Sequence, residues 1–132
     1  MPRSVHADTR AYTTQWDDEL DAVVHKWNQY VNGEMFRDGC EAMIELIEER
    51  NASKILIDHR DMQVVDKEDQ EYIVEEWVPS AVEAGAEYHM VVHQESTIAE
   101  MNLDNVIDLN DVDYESNMTS DVDEAREWIS SR

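Results

Sequence analysis

Three aliphatic residues, Ile55-Leu56-Ile57, run directly into Asp58 and lie between two stretches of helical periodicity. A short strand that is apolar on both faces belongs at the centre of a sheet covered by helices. This run sets the fold class, because the pattern on either side must supply the covering helices. Upstream, Phe36, Cys40, Met43 and Ile47 recur at helical spacing over roughly 34–50, flanked by Gly39, Ile44 and Leu46. Arg37, Asp38, Glu41, Glu45 and Glu48 fall largely on the opposite face. Asn32 and Gly33 open this helix, and Asn51 stops it, since asparagine tolerates the left-handed conformation. Downstream, Asp66 is placed to cap a second helix with Glu68 and Asp69 in its first turn. Tyr72, Ile73, Trp77, Ala81 and Ala84 give its inner face, and Gly85 ends it. Pro79 lies inside, which predicts a kink near 75–78 or two abutting helices.

The remaining elements follow from the same patterns. Residues 1–10 read as a flexible arm. Strands at 12–15 and 22–31 form an antiparallel hairpin about the acidic turn at 17–21. A further strand is expected at 88–93, a short helix capped by Ser96 at 97–106, and an edge strand at 112–116. Ser120 is expected to cap a last helix with Val122, Ala125, Trp128 and Ile129 on its apolar face. The order β-β-α-β-α-β-α-β-α predicts one α/β domain over 1–132. It has a single mixed sheet, an N-terminal antiparallel hairpin followed by βα units, and helices mainly on one face.

Charge limits the partners. The chain has 32 acidic and 10 basic residues, a net charge of −22 over 132 residues, and only three lysines, Lys26, Lys54 and Lys67. Self-repulsion of this size destabilises a compact state in dilute salt, and concentrated salt screens it. With 42% apolar residues still present, the composition is that expected of a protein from a salt-accumulating halophile. Phosphate binding needs a basic patch and none is visible, which argues against nucleic acid as a partner. No apolar run approaches the ~20 residues of a membrane span. The N-terminus shows no apolar signal region. Cys40 is the only cysteine, which excludes an intrachain disulfide and a thiolate metal cluster. The expectation is a cytoplasmic protein without metal or cofactor, for which a homodimer through an open sheet face or an edge strand is compatible.

The densest polar chemistry is the loop Asp58-His59-Arg60-Asp61. It follows the buried strand, where open α/β sheets place their ligands. Arg60 can hold an anion there and His59 can titrate near neutral pH. Alternatively, Arg60 pairs with Asp58 or Asp61 and pins the loop. His89 and His93 share a strand face with Val91 between them. Their Cα atoms are about 13 Å apart at strand rise, too far for one metal ion. These histidines and His25 read as scattered surface or interface groups, and no metal site is expected. If His25, Trp27, His89, Val91 and His93 face one side of the sheet, they form an aromatic-polar patch or lie buried under a helix. Trp77 and Trp128 read as core, Trp16 as exposed near a turn, and Cys40 as an inert core thiol. Glu75-Glu76, Asp17-Asp18 and Asp66 with Asp69 read as solvated charge and helix-cap chemistry. A Gly-rich phosphate loop and a Gly-x-Ser-x-Gly elbow are both missing, and the only glycines are Gly33, Gly39 and Gly85.

Several stretches carry a resemblance. They are Lys26-Trp27-Asn28-Gln29-Tyr30-Val31, Ile55-Leu56-Ile57-Asp58-His59-Arg60 and Asp66-Lys67-Glu68-Asp69-Gln70-Glu71. Glu76-Trp77-Val78-Pro79, Ala84-Gly85 and Glu124-Ala125-Arg126-Glu127-Trp128 complete the set. Together with the element order, over about 12–130, they resemble the STAS fold of anti-sigma-factor antagonists, in particular its SpoIIAA-like prokaryotic branch. Antagonists carry a phosphorylatable serine just after the aspartate that ends the central strand. Asp58 matches that aspartate, but His59 and Arg60 follow, and no serine or threonine occurs between Lys54 and Ser80. The resemblance implies a non-catalytic regulatory module that binds a protein partner or small ligand through loops at the strand ends, here without the serine switch. The 58–65 loop, with Asp58, His59, Arg60 and Asp61, and the start of the next helix would form that surface. A small-ligand or lipid carrier of the CRAL-TRIO kind is the alternative. It requires an apolar cavity of ~300 Å³ or more, and a core closed by Phe36, Ile47, Trp77 and Trp128 would oppose it. An enzyme would need a concave site gathering His59, Arg60 and a desolvated carboxylate.

Overall fold

The computed structural model describes residues 3–62, 65–94 and 115–132. Three strands come first: β1 (Arg3–Asp8), β2 (Tyr12–Asp17) and β3 (Ala22–Trp27). Helix α1 (Gly33–Arg50) leads to β4 (Lys54–Asp58). Helix α2 (Lys67–Tyr72), one π-helical turn (Ile73–Trp77) and α3 (Val78–Ala84) then lead to β5 (Tyr88–Val92). Strand β6 (Glu115–Thr119) and helix α4 (Val122–Ser130) close the chain. The six strands form one sheet in the order β1-β2-β3-β4-β5-β6. The first two pairings are antiparallel and the remaining three parallel. This is the α/β architecture expected, a mixed sheet whose antiparallel start gives way to βα units.

Strand alternation divides the interior in two. Val23 and Trp27 of β3 and Ile55 and Ile57 of β4 join a core with α1 and the helices that follow it. Ala22, Val24, Leu56, Met90 and Val92 point the other way and pack against Ala125 and Ile129 of α4. Right-handed crossovers that advance in one direction across a parallel sheet put their helices on the same face. That places α1 and the α2–α3 segment together, while α4 covers the second face after the last strand.

Local chemistry explains the helix shapes. In α1, Phe36, Cys40, Met43, Leu46 and Ile47 form the buried stripe, and Asn51 ends the helix at φ 53°, ψ 44°. Pro79 has no N–H and its ring crowds the carbonyl four residues back, at Glu75. The chain answers with the π-helical turn at Ile73–Trp77, a wider turn that accommodates such a break. Gly39 is required by a close approach. A Cβ there would sit 2.5 and 2.7 Å from two carbons of the Trp27 ring. Without it, Trp27 lies close against α1 and stacks on Phe36 at 4.9 Å between centroids.

Five expectations are corrected. Residues 3–8, read as part of a flexible arm, pair with β2 as an edge strand. The cap of the last helix is Asp121 and not Ser120: its carboxylate accepts from the N–H groups of Asp123 (2.9 Å) and Glu124 (3.3 Å). Asp66 occupies the cap position of α2, but its carboxylate turns to the Tyr30 hydroxyl and the Asn32 amide. Trp16 is buried, with its indole N–H on Asp18 at 2.7 Å. Asp17 and Asp69 are buried as well and not solvated. Asp69 accepts the Gly33 N–H at 3.1 Å, so a residue of α2 caps the start of α1. The helix expected at 97–106, and the part of the edge strand expected before 115, lie outside the described residues.

Candidate functional site at the carboxyl ends of the parallel strands

Register determines what meets at this edge. Lys26 pairs with Asp58, and Asp58 with Val92. One residue further on, Trp27, His59 and His93 therefore fall in a row across three strands. The ladder continues past the strand ends, because the His59 N–H donates to Val92 (2.7 Å) and the His93 N–H donates to Thr119 (3.0 Å). The rings of His59 and His93 stack with centroids 5.0 Å apart and planes 27° apart. Trp27 lies 6.3 Å from His59 and 4.4 Å from His25. His25 also stacks on Tyr12 at 5.3 Å and shares a 2.8 Å hydrogen bond through Nδ1 with the Thr14 hydroxyl. His89 sits lower on the same face, 5.9 Å from Trp77.

All four imidazoles are buried, which corrects their reading as scattered surface groups. His25, Trp27, His89 and His93 do share one face, as the alternation required, and that face lies beneath the helices. Burial drives the imidazoles toward the neutral form, since an apolar surrounding penalises the charged ring. His25, pressed also by the His59 ring, falls to about 3. His59, pressed by His93 and His89, falls to about 3, and His89, pressed by His93, to about 3. His93 falls to about 4 through burial, with Asp58 pulling the other way. His59 is thereby removed from titration near neutral pH.

The 58–61 loop is built as an internal clasp. Three donors of Arg60 converge on the Asp58 carboxylate: the backbone N–H (3.0 Å), Nε (3.1 and 3.2 Å) and Nη2 (2.8 Å). Burial works to raise the Asp58 pKa, but the hydrogen bonds and charge of Arg60, with Lys26 behind them, outweigh it and hold the carboxyl below its usual range. The Met62 N–H donates to the His59 carbonyl at 3.1 Å, and His59 Nδ1 donates to the Met62 carbonyl at 3.3 Å. Gln94 donates to the Arg60 carbonyl at 2.9 Å. Of the four loop residues singled out in the sequence, Asp58 and His59 are thus turned inward. The Arg60 side chain is 43% exposed but committed to Asp58, and Asp61, 53% exposed, faces outward beside Lys26 at 3.5 Å.

The same edge carries apolar surface. Among the described residues the large exposed apolar side chains are Tyr30, Met35 and Val74. Tyr30 and Met35 bracket the start of α1, and the Tyr30 hydroxyl donates to Asp66 at the start of α2. The sequence offered no signal for Tyr30 or Gln94, whose roles depend on partners 36 and 34 residues away. Among the described residues no group of three or more histidine, cysteine or acidic side chains is arranged to hold a metal ion. Cys40 is buried in the first core, where burial and the neighbouring Asp69 and Glu41 carboxylates push its thiol up. No described helix is long and apolar enough to cross a membrane. Comparison of the chain with protein-family models, with curated proteins and with solved structures returned no match.

Proposed function

We propose that this chain is a non-catalytic regulatory module that binds a protein partner at the carboxyl ends of its parallel strands. The surface comprises the 58–65 loop, the start of α2 and the adjoining start of α1. The observation that carries the reading is the exposure of Tyr30 and Met35 on this edge, with the Tyr30 hydroxyl donating to Asp66 at the cap of α2. Exposed aromatic and methionine side chains with a polar rim are what protein interfaces use. The chemistry beside them suits a binding surface better than a reaction. His59 is inward and neutral, and the Arg60 guanidinium is occupied by Asp58. The carrier alternative draws no support from the first core, where Phe36, Ile47 and Trp77 are buried together, although Trp128, expected with them, is only half-buried and packs on the opposite face against the second core. The STAS-like, SpoIIAA-like resemblance points to the same edge, with the serine switch missing. We place the module in the cytoplasm of a salt-accumulating cell, where its net charge of −22 is screened.

The test is capture of the tagged protein from its native lysate in molar KCl, in parallel with Tyr30→Ser, Asp61→Arg and the remote control Glu127→Gln. The reading expects one stoichiometric protein that is retained by the control and lost from the two edge variants. A bound lipid or metabolite with no protein would move the function to a carrier. A protein captured equally by all forms would place the surface elsewhere.

A further inference from the structure

We propose that the stacked pair His59–His93 is a proton-operated latch on the 58–62 turn, closed while both rings are neutral and released when His93 takes up a proton. The latch is independent of any partner and stands on the geometry of the turn. His93 and its neighbour Gln94 hold the turn at two points: the His93 ring lies on His59 at 5.0 Å, and the Gln94 amide donates to the Arg60 carbonyl. His59 in turn closes the loop on itself through two hydrogen bonds with Met62. A change at His93 is therefore transmitted directly to the ring that organises residues 59–62.

A proton has no good place in the closed arrangement. His93 is 6% exposed, and its Nδ1 has no hydrogen-bond partner among the described residues. Protonation would put a charge against the His59 ring and add an N–H without an acceptor, both costly in a buried site. The anion that bears on His93 is Asp58, and its oxygens already accept three Arg60 donors. An imidazolium would compete with Arg60 for that carboxylate and loosen the clasp. Among the described residues, the other ionisable groups at this corner do not relieve the charge. Lys26 of β3 is positive and already serves Asp61, while His25 of β3 and His89 of β5 are themselves buried imidazoles. Among the described contacts, Trp27 beside His59 is covered from α1 by Phe36, an uncharged ring.

Linkage fixes the direction and size of the response. In the closed turn His93 titrates at about 4 and His59 at about 3, against an ordinary 6.5 once exposed. Below pH 6.5 the open form binds protons that the closed form does not, so opening becomes more favourable as pH falls. Each ring released raises the opening constant about tenfold per pH unit until its closed-state value is reached, and both together about a hundredfold.

The experiment is native-state hydrogen exchange of the full chain in molar KCl between pH 7.5 and 5, corrected for intrinsic exchange and read at the Met62 amide. The expected result is an opening constant that rises about ten- to a hundredfold per pH unit below 6.5. In His93→Phe, which keeps a stacking ring without a titratable nitrogen, the slope should fall by one proton. An opening constant independent of pH, or a slope unchanged in the variant, would overturn the latch. So would a Met62 slope identical to that of the Leu46 and Ile57 amides, because the event would then be global unfolding. If His93→Phe does not fold, the imidazole Cε1–H signals of the unmodified chain decide. Opening at Met62 with no protonation of His93 at the same pH would exclude the proposal.

Discussion

The two faces of the sheet are built from alternate residues of the same strands, yet they differ in kind. Beneath α1 and the α2–α3 segment lie aromatic rings and imidazoles: Trp27 on Phe36, His25 against Tyr12 and Trp27, His59 on His93, and His89 by Trp77. Beneath α4 the fully buried contacts are free of aromatic rings, from Ala22, Val24, Leu56, Met90 and Val92 to Ala125 and Ile129, with the half-buried Tyr88–Trp128 pair at the margin. That second face is fastened at its rim by Arg126, which reaches buried Asp17 at 3.1 Å and exposed Glu19 at 3.2 Å. The contrast shows how one pattern of alternation separates two tasks. The first face holds most of the packed surface and the four buried imidazoles. The second is a lid without a described imidazole, held at its rim by the ion pairs of Arg126 with Asp17 and Glu19 and of Arg132 with Glu115.

The largest way to break this contrast is acid. The four imidazoles have folded-state values of about 3 to 4 against an ordinary 6.5. A base with a depressed folded pKa contributes nothing above 6.5, where both states are neutral. Below that, the unfolded chain takes up protons the fold refuses, so stability falls as pH falls from 6.5 toward 4. Four groups give a slope on the order of 5 kcal/mol per pH unit. Ordinary carboxylates titrate near 4, so the window from 6.5 to 5 belongs to histidine. Urea unfolding in molar KCl at pH 7.5, 6.5 and 5.5 measures it, and a flat profile would remove the distinction between the faces.

Next in size are core truncations. Trp27→Ala on the first face should cost about 4 kcal/mol and Leu56→Ala on the second about 3 kcal/mol. Only the first should also soften the acid slope, because it alone opens the imidazole layer to water. Arg126→Ala comes third, at ~2 kcal/mol, since it removes a charged donor from the buried Asp17 carboxylate, which also accepts from the turn amides of Glu19 and Leu20. Loss of α4 amide protection with β3 unaffected would identify that pair as the lid's fastening. Arg60→Ala is the smallest, at about 1 kcal/mol or less, because the guanidinium is well exposed. A cost above 2 kcal/mol would mean that the clasp, and not only the core, holds the strand ends together.

Which parts were legible in the sequence follows from distance along the chain. Features set by neighbours were readable: the Ile55-Leu56-Ile57 strand, the left-handed stop at Asn51, and the break that Pro79 imposes on its helix. Period-2 alternation also placed His25, His89 and His93 on one face. It could not add His59 to them, because that meeting depends on Asp58 pairing with both Lys26 and Val92. Asp69 looked like first-turn acid for its own helix, whereas its acceptor role is toward Gly33, 36 residues earlier. Ser120 and Asp121 are adjacent cap candidates, and only the backbone geometry selects the aspartate. Over residues 3–8 only Val5 and Ala7 alternate with polar neighbours, too short and too small an apolar pattern to mark a strand before the hairpin offers an edge.

The strand order has one more consequence, for how the molecule is made. Every strand pairs with its neighbour in sequence, and no later strand inserts between earlier ones. Such a sheet can be laid down strand by strand as the chain leaves the ribosome, at about 5–20 residues per second. Each new strand finds its edge already waiting. The Arg126–Asp17 bond breaks that rule, spanning 109 residues. During synthesis Asp17 is therefore held by the amides of its own turn well before Arg126, 109 residues later, can reach it.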